Sequence, residues 1–145
     1  MSHGRLIQIW VKRAKLGPMD PRAEVELVAQ RGIVGNANQG GTRQVTLIED
    51  QRWVEMQGEL GASIDPVVRR ANLLVSGVPL TGTRGRVLRV GACRLRVRGE
   101  TRPCERMEEA HPGLRAAMSP DWRGGAYAEV LDDGVIRAGD TVSWE

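Results

Sequence analysis

Cys104 is the residue in this sequence best placed to do chemistry. It lies in Gly99-Glu100-Thr101-Arg102-Pro103-Cys104-Glu105-Arg106-Met107, directly after a strand-like run. The other cysteine, Cys93, falls inside that run, at a position predicted to face a core. One thiol is therefore expected to be structural and one presented. A presented thiolate can act as a nucleophile, a sulfur carrier or a soft metal ligand. Arg102 and Arg106 flank it, and a helix beginning at Pro103 would add its positive N-terminal end. Glu105 acts in the opposite direction, and the balance predicts a thiol shifted toward its thiolate. His111 could serve Cys104 as a base, although its place on a turn before Pro112 favours a bystander. A zinc site would have only His3 and Cys93 to add to that pair, so structural zinc is not expected. There is no phosphate loop, dinucleotide fingerprint or serine triad. No lysine is evident for a pyridoxal Schiff base, so that cofactor is not expected on this chain.

The positive charge is unusual in kind. The formal net charge is +3, from 19 arginines and only two lysines, Lys12 and Lys15, against 18 carboxylates. Base-composition bias accounts for such a preference, but guanidinium forks also grip phosphates and carboxylates bidentately. A charge this small does not require nucleic acid. With no Phe and one Tyr, a base-stacking surface is not expected, although four tryptophans remain.

The elements that must position these groups are short and mostly extended. Alternation predicts strands over 2–11, 23–29, 43–48, 72–75, 86–98, 126–131 and 141–144, with a shorter one at 135–137. In the 86–98 run Cys93, Leu95 and Val97 share one face, while Arg94, Arg96 and Arg98 share the other. A solvated arginine row is the simpler reading of that outer face. Residues 12–22, with Gly17, Pro18 and Pro21, read as a loop, and 31–42 as a glycine-rich loop. A helix is predicted from Asp50, its cap, to Leu60, closed by Gly61. Shorter helices are predicted at 103–110 and 112–118. Trp53 is expected on the inner face of the first helix, Trp10 and Trp144 in packing near the chain ends, and Trp122 in the core or beside a cleft. Some eight strands punctuated by glycine, with three short helices, imply a mainly β fold, a closed or nearly closed barrel in one domain over 1–145. No apolar run approaches the ~20 residues that span a bilayer, and no signal-peptide core is seen, so a cytoplasmic protein with no membrane partner is expected.

Taken in order, several segments resemble the MOSC domain, the module found at the C-terminus of molybdenum-cofactor sulfurases and as small stand-alone bacterial proteins. They are the glycine-rich loop running into Arg43-Gln44-Val45-Thr46-Leu47, then Arg69-Arg70-Ala71-Asn72-Leu73-Leu74-Val75-Ser76-Gly77-Val78. Next come Arg102-Pro103-Cys104-Glu105-Arg106-Met107, Arg123-Gly124-Gly125-Ala126-Tyr127 and Ile136-Arg137-Ala138-Gly139-Asp140. The resemblance implies a MOSC-type β-barrel with a cleft. It also implies a cysteine that receives sulfur or ligates molybdenum, matched here by Cys104. The sequence departs from the family in one place. Where family members often carry an acidic residue followed shortly by histidine, this chain has Gly35-Asn36-Ala37-Asn38-Gln39.

The resemblance makes the molybdenum cofactor, a pterin with a phosphate and a dithiolene, the expected ligand. Arg43, Arg70 and Arg123 sit beside turn segments and are expected to hold its anionic group, with Arg102 and Gly124 beside them and Asn72 offering an amide to the pterin edge. All are expected to converge on Cys104. As a sulfur carrier the protein would need a separate pyridoxal-phosphate-dependent desulfurase. As a molybdenum-dependent reductase of N-hydroxylated compounds it would need a redox partner. Two other classes remain open: a metal-free thiol enzyme on a small substrate, and a non-catalytic barrel that binds anions or nucleic acid through its arginines.

Overall fold

The structure, a computed structural model, describes residues 4–145; the expected strand start at Ser2, and His3, lie outside the described residues. Alternation decides the strands, as anticipated. β1 (Gly4–Lys12), β5 (Val45–Glu49), β6 (Leu73–Ser76), β7 (Val87–Val90), β8 (Cys93–Glu100), β9 (Ala126–Val130) and β11 (Thr141–Trp144) close on themselves, because β11 pairs with both β7 and β1. The closed order is β1-β11-β7-β8-β9-β5-β6, a seven-stranded barrel. Closure leaves no unpaired edge among these strands, which removes a template for aggregation.

The inward faces fill the barrel with small and branched side chains. Leu6, Ile9, Leu47, Leu73, Leu88, Cys93, Leu95, Val97, Ala128 and Val130 belong to this buried core. Cys93 is fully buried, and burial pushes its thiol up, with Asp132, Asp133 and Asp140 adding to the effect. The expectation of a core thiol at this position holds.

All barrel pairings are antiparallel except β5 with β6. A parallel pair needs a crossover. Here it is α1 (Asp50–Leu60) followed by a 3-10 turn at Pro66–Arg69. α1 turns Trp53 and Met56 inward, with Leu60 packed one turn on. The Trp53 indole N–H donates to the Ile64 carbonyl at 2.7 Å. With α2 (Glu105–Ala110) and α3 (Leu114–Met118), α1 encloses a second apolar core against Trp10, Ile48 and Leu74 from the outer barrel face. Gly61 ends α1 in the left-handed conformation, as its position predicts.

Several local expectations are corrected, among them the 31–42 loop, which holds a short strand at Gly32–Ile33. Asp50 is not the cap of α1. Glu49 holds that position, and its carboxylate turns away to accept the Leu80 N–H at 3.1 Å. The 12–22 segment is not all loop, because β2 (Met19–Arg22) pairs with the end of β1. β2 is an outer edge strand, where Pro21 removes no needed ladder donor. Finally, α2 starts at Glu105, not Pro103, which leaves Cys104 as its N-cap residue. A second sheet of β3 (Glu24–Val28), β4 (Gly32–Ile33) and β10 (Gly134–Arg137) completes the fold.

Candidate functional site

Where β1 ends and β5 begins, the chain leaves a cavity of about 240 Å³ lined by Lys12, Asn38, Arg43, Gln44, Thr46, Arg70 and Asn72. Three of these side chains are cations and none is a carboxylate. No ion pair compensates Lys12, Arg43 or Arg70 among the described residues. Burial pushes the Lys12 ammonium below its ordinary range, and Arg70, then Arg43, push in the same direction. Like charges held together without a counter-ion are unfavourable in isolation, so such a cluster favours an anion between them.

Each cation is positioned by the fold. Arg43 lies over the Tyr127 ring, 5.4 Å from its centroid. Arg70 donates to the Gly17 carbonyl at 2.6 Å and caps the 3-10 turn in the left-handed conformation, φ 62°. That conformation is uncommon for a residue with a side chain and is enriched at functional sites. Lys12 ends β1, and its backbone N–H donates to Oδ1 of Asn36 at 2.9 Å.

Asn36 and Asn72 form the latch beneath this cavity. Both are buried. The Asn72 amide nitrogen donates to the Trp10 carbonyl and to Oδ1 of Asn36, each at 3.1 Å, and its oxygen accepts from the backbone and hydroxyl of Thr46. Asn72 therefore lines the cavity with its amide already engaged by the protein. Asn36, at the departure from the family pattern, uses its side-chain oxygen to accept two hydrogen bonds. A carboxylate there could accept the same two, so asparagine fills this structural role without a negative charge. Asn38, also in that stretch, lines the cavity.

A smaller cavity of about 50 Å³ adjoins the first. It shares Arg43, Thr46 and Arg70 and adds Arg69, Ala71, Thr101 and Gly124. Arg69 is the residue the sequence did not single out. Its Nε donates to the Gly124 carbonyl at 2.9 Å, and Nη2 reaches the carbonyls of Thr101 at 3.1 Å and Arg102 at 3.4 Å. It thus ties the turn at Gly124 to the segment that leads into Cys104. Burial pushes the Arg69 guanidinium down to about 10; negative charge on Cys104 opposes this and Arg43 adds to it. Gly124 must be glycine, because a Cβ there would meet the Thr101 carbonyl oxygen at 2.2 Å. Cys104 itself is exposed, and its side chain makes no cap hydrogen bond to α2.

The structure therefore brings Arg43, Arg70, Asn72 and Gly124 to one place, whereas Cys104, two residues after Arg102, lines neither cavity, so the expected convergence on Cys104 is not seen. It does not bring Arg123 or Arg102 into either cavity. Arg123 turns to α1, where Nη2 lies 2.6 Å from Glu59 and 3.5 Å from Glu55. Arg102 is 82% exposed and lies 3.8 Å from Glu100. His111 closes α2 and contacts the Pro112 carbonyl through Nδ1. No group of three or more His, Cys, Asp or Glu that could hold a metal occurs among the described residues. The arginine row of β8 is paired: Arg94 with Asp132 at 2.9 Å, Arg98 with Glu129 at 3.2 Å and Arg96 with Glu129 at 4.0 Å. Trp122 packs against the barrel core. Among the described residues no helix is long and apolar enough to cross a membrane.

The sequence pattern did not point to Lys12 or Arg69 as site residues. Lys12 carried a signal, being one of only two lysines at the end of a clear strand. Arg69 carried none, because its role rests on three backbone carbonyls remote in sequence.

Solved structures share this fold. The YuaD protein from Bacillus subtilis superposes with a TM-score of 0.79 at 20% identity, over 97% of this chain and 94% of that one. YiiM from Geobacillus stearothermophilus gives 0.79 at 19% identity, over 98% and 75%. YiiM from Escherichia coli gives 0.71 at 16% identity, over 97% and 69%. No curated protein matches the chain in sequence. The family model for the MOSC domain matches residues 33–143. That span takes in the glycine-rich loop, Arg43, the Arg69–Asn72 turn, Cys104 and the Gly124 turn, and the chain belongs to the MOSC domain family.

Proposed function

We propose that this MOSC domain binds the molybdenum cofactor by its anionic end in the Lys12–Arg43–Arg70 cavity and offers Cys104 as the soft ligand to the metal. The observation that carries the reading is the imbalance of charge: three cations line the larger cavity and no carboxylate does. At about 240 Å³ the space lies just below the ~300–1,000 Å³ of most small-molecule pockets. It suits one end of a larger ligand. The residues present fit a phosphate and a thiolate-seeking metal; no aromatic ring lines either cavity to stack on a pterin.

Within this reading the chain's own groups have distinct tasks. Arg43 and Arg70 present guanidinium donors to anionic oxygens, and Lys12 adds a point charge. Asn36 and Asn72 hold the walls apart rather than touching the ligand. Arg69 fixes the backbone ahead of Cys104. The bound cofactor would supply two-electron redox chemistry at its metal, and a reductase built this way needs a separate electron donor.

The exposure of Cys104 favours a second reading, sulfur transfer. The thiolate would attack the outer sulfur of a donor persulfide, forming a new S–S bond as the donor thiolate leaves. An exposed sulfur can meet a desulfurase of that kind; a buried one cannot.

The test is molybdenum and phosphorus content after incubation with released molybdenum cofactor, wild type beside Cys104→Ser. The expected result is both elements retained by wild type and molybdenum lost from the variant. Retention of neither by wild type removes the cofactor reading, and persulfide formation on Cys104, read by intact mass, then decides for or against sulfur transfer.

A further inference from the structure

Lys12 stands apart from the other cavity cations. The chain uses arginine 19 times and lysine twice, and one of those two lines the larger cavity. Arginine would serve at least as well for gripping an anion, since its fork is planar and bidentate. What lysine offers and arginine does not is an amine that can lose its proton and bond to carbon. A lysine beside other cations, partly removed from water, is activated for that chemistry. Here no hydrogen bond or ion pair joins its ammonium to the protein among the described residues. The neighbouring guanidinium groups of Arg43 and Arg70 would hold a carboxylate or phosphate on the same small molecule.

We infer that Lys12 is an imine-forming site for small carbonyl compounds that carry an anionic group, with Arg43 and Arg70 holding the anion. The inference rests on the anion-binding reading of this cavity, but not on the metal or on Cys104. The amine in its uncharged form adds to the carbonyl carbon. The C–N bond forms as the carbonyl π pair moves to oxygen, and a proton passes from the nitrogen to that oxygen. Loss of water from that adduct gives the imine. No electron is gained or lost overall, so no redox partner is needed. Burial, then Arg70, Arg43, Arg106 and Lys15, push the Lys12 ammonium down and raise the share of free amine.

The experiment uses the intact protein with glyoxylate as probe and borohydride to reduce any imine to a stable secondary amine. Peptide mapping then separates adducts at Lys12, Lys15 and the N-terminal amine. The expected result is labelling of Lys12 at least about tenfold faster than Lys15, because a cation-lined cavity concentrates the anion. Inorganic phosphate should slow the Lys12 reaction, Lys12→Arg should abolish that adduct, and Lys15→Arg should leave it. Thermal melting checks that the variants fold. Equal labelling of Lys12 and Lys15 overturns the inference. Phosphate binding by calorimetry without a Lys12 adduct also overturns it, and leaves the anion reading standing. A Lys12 adduct indifferent to phosphate sinks both, since the arginines would then hold nothing.

Discussion

The outer face of β8 and the cavity at the end of β1 hold the same kind of side chain in opposite states. On β8, Arg94, Arg96 and Arg98 each face a carboxylate, Asp132 or Glu129. At the cavity, Arg43 and Arg70 stand with Lys12 and face none. Arginine content therefore says little about where an anion binds. A row that looks like a binding stripe in sequence is paired by carboxylates on and just past the neighbouring strand: Glu129 lies opposite Arg96 and within reach of Arg98, and Asp132 follows the end of β9. The cavity cations come from three segments far apart in the chain, and no acidic residue lines the space they share.

The cavity is where this difference between paired and unpaired arginines has most to lose. Replacing Arg43 and Arg70 together by alanine should weaken phosphate binding by at least about 100-fold, taking ~1.4 kcal/mol for each guanidinium removed. Calorimetry of phosphate binding checks it, with Arg94→Ala as the contrast. If the β8 variant loses as much affinity as the cavity variant, the distinction between paired and unpaired arginines fails.

Arg69 is an intermediate case, since it too lacks a carboxylate but is occupied by carbonyls. Arg69→Met leaves the Thr101 and Arg102 carbonyls without their donor and should cost about 2–3 kcal/mol of stability. Denaturant unfolding reads this directly. A loss below the noise of the method would mean that water replaces the guanidinium without penalty.

Glu49 is the reverse case, a buried carboxylate with no ion pair among the described residues. Burial raises its pKa above the ordinary value, against the Leu80 N–H and Arg52, which lower it. A group whose folded pKa is raised contributes stability below its unfolded value, near ~4.3, and that contribution is lost as pH rises through the folded value. Glu49→Gln keeps an oxygen for Leu80 and removes the charge. The variant should therefore gain on wild type in melting temperature as pH rises from about 4 into the neutral range. Parallel pH profiles for the two proteins would show that Glu49 titrates normally.

The smallest effect belongs to the paired row. Arg94 is half-buried and holds Asp132 through two hydrogen bonds, but the pair remains open to water, where ion pairs contribute little. Arg94→Ala should lower the melting temperature only slightly and leave phosphate binding unchanged.

The barrel was legible in the sequence because a β-strand with one buried face writes its period into the chain. Cys93, Leu95 and Val97 against Arg94, Arg96 and Arg98 are enough to orient β8. Gly61 announced the end of α1 by residue type alone. The candidate site was half legible. Arg43, Arg70 and Gly124 stood beside glycines and turns, where backbone and side chains converge. Arg123 stood in the same kind of segment, but α1 presents Glu55 and Glu59 to it across the fold, and no local pattern records that meeting. The Asn72 amide looked free for a ligand because its three protein partners come from β1, β5 and the glycine-rich loop. Glu49 stands at the cap position of α1, but its carboxylate is taken by the Leu80 N–H some 30 residues on. In each case the deciding partner is remote in sequence, and only closure of the barrel brings it near.

Arg70 has a consequence for the history of the chain. It holds a left-handed backbone conformation that glycine would adopt without strain. Glycine or asparagine at this position would make the turn easier to form, at the loss of the guanidinium's hydrogen bond to the Gly17 carbonyl. If the proposed anion binds here, the need for a guanidinium opposes that change. Laboratory evolution of this protein for heat resistance alone, with no demand on binding, should find position 70 among the first to drift. Evolution under a binding requirement should hold it fixed and gain its stability elsewhere.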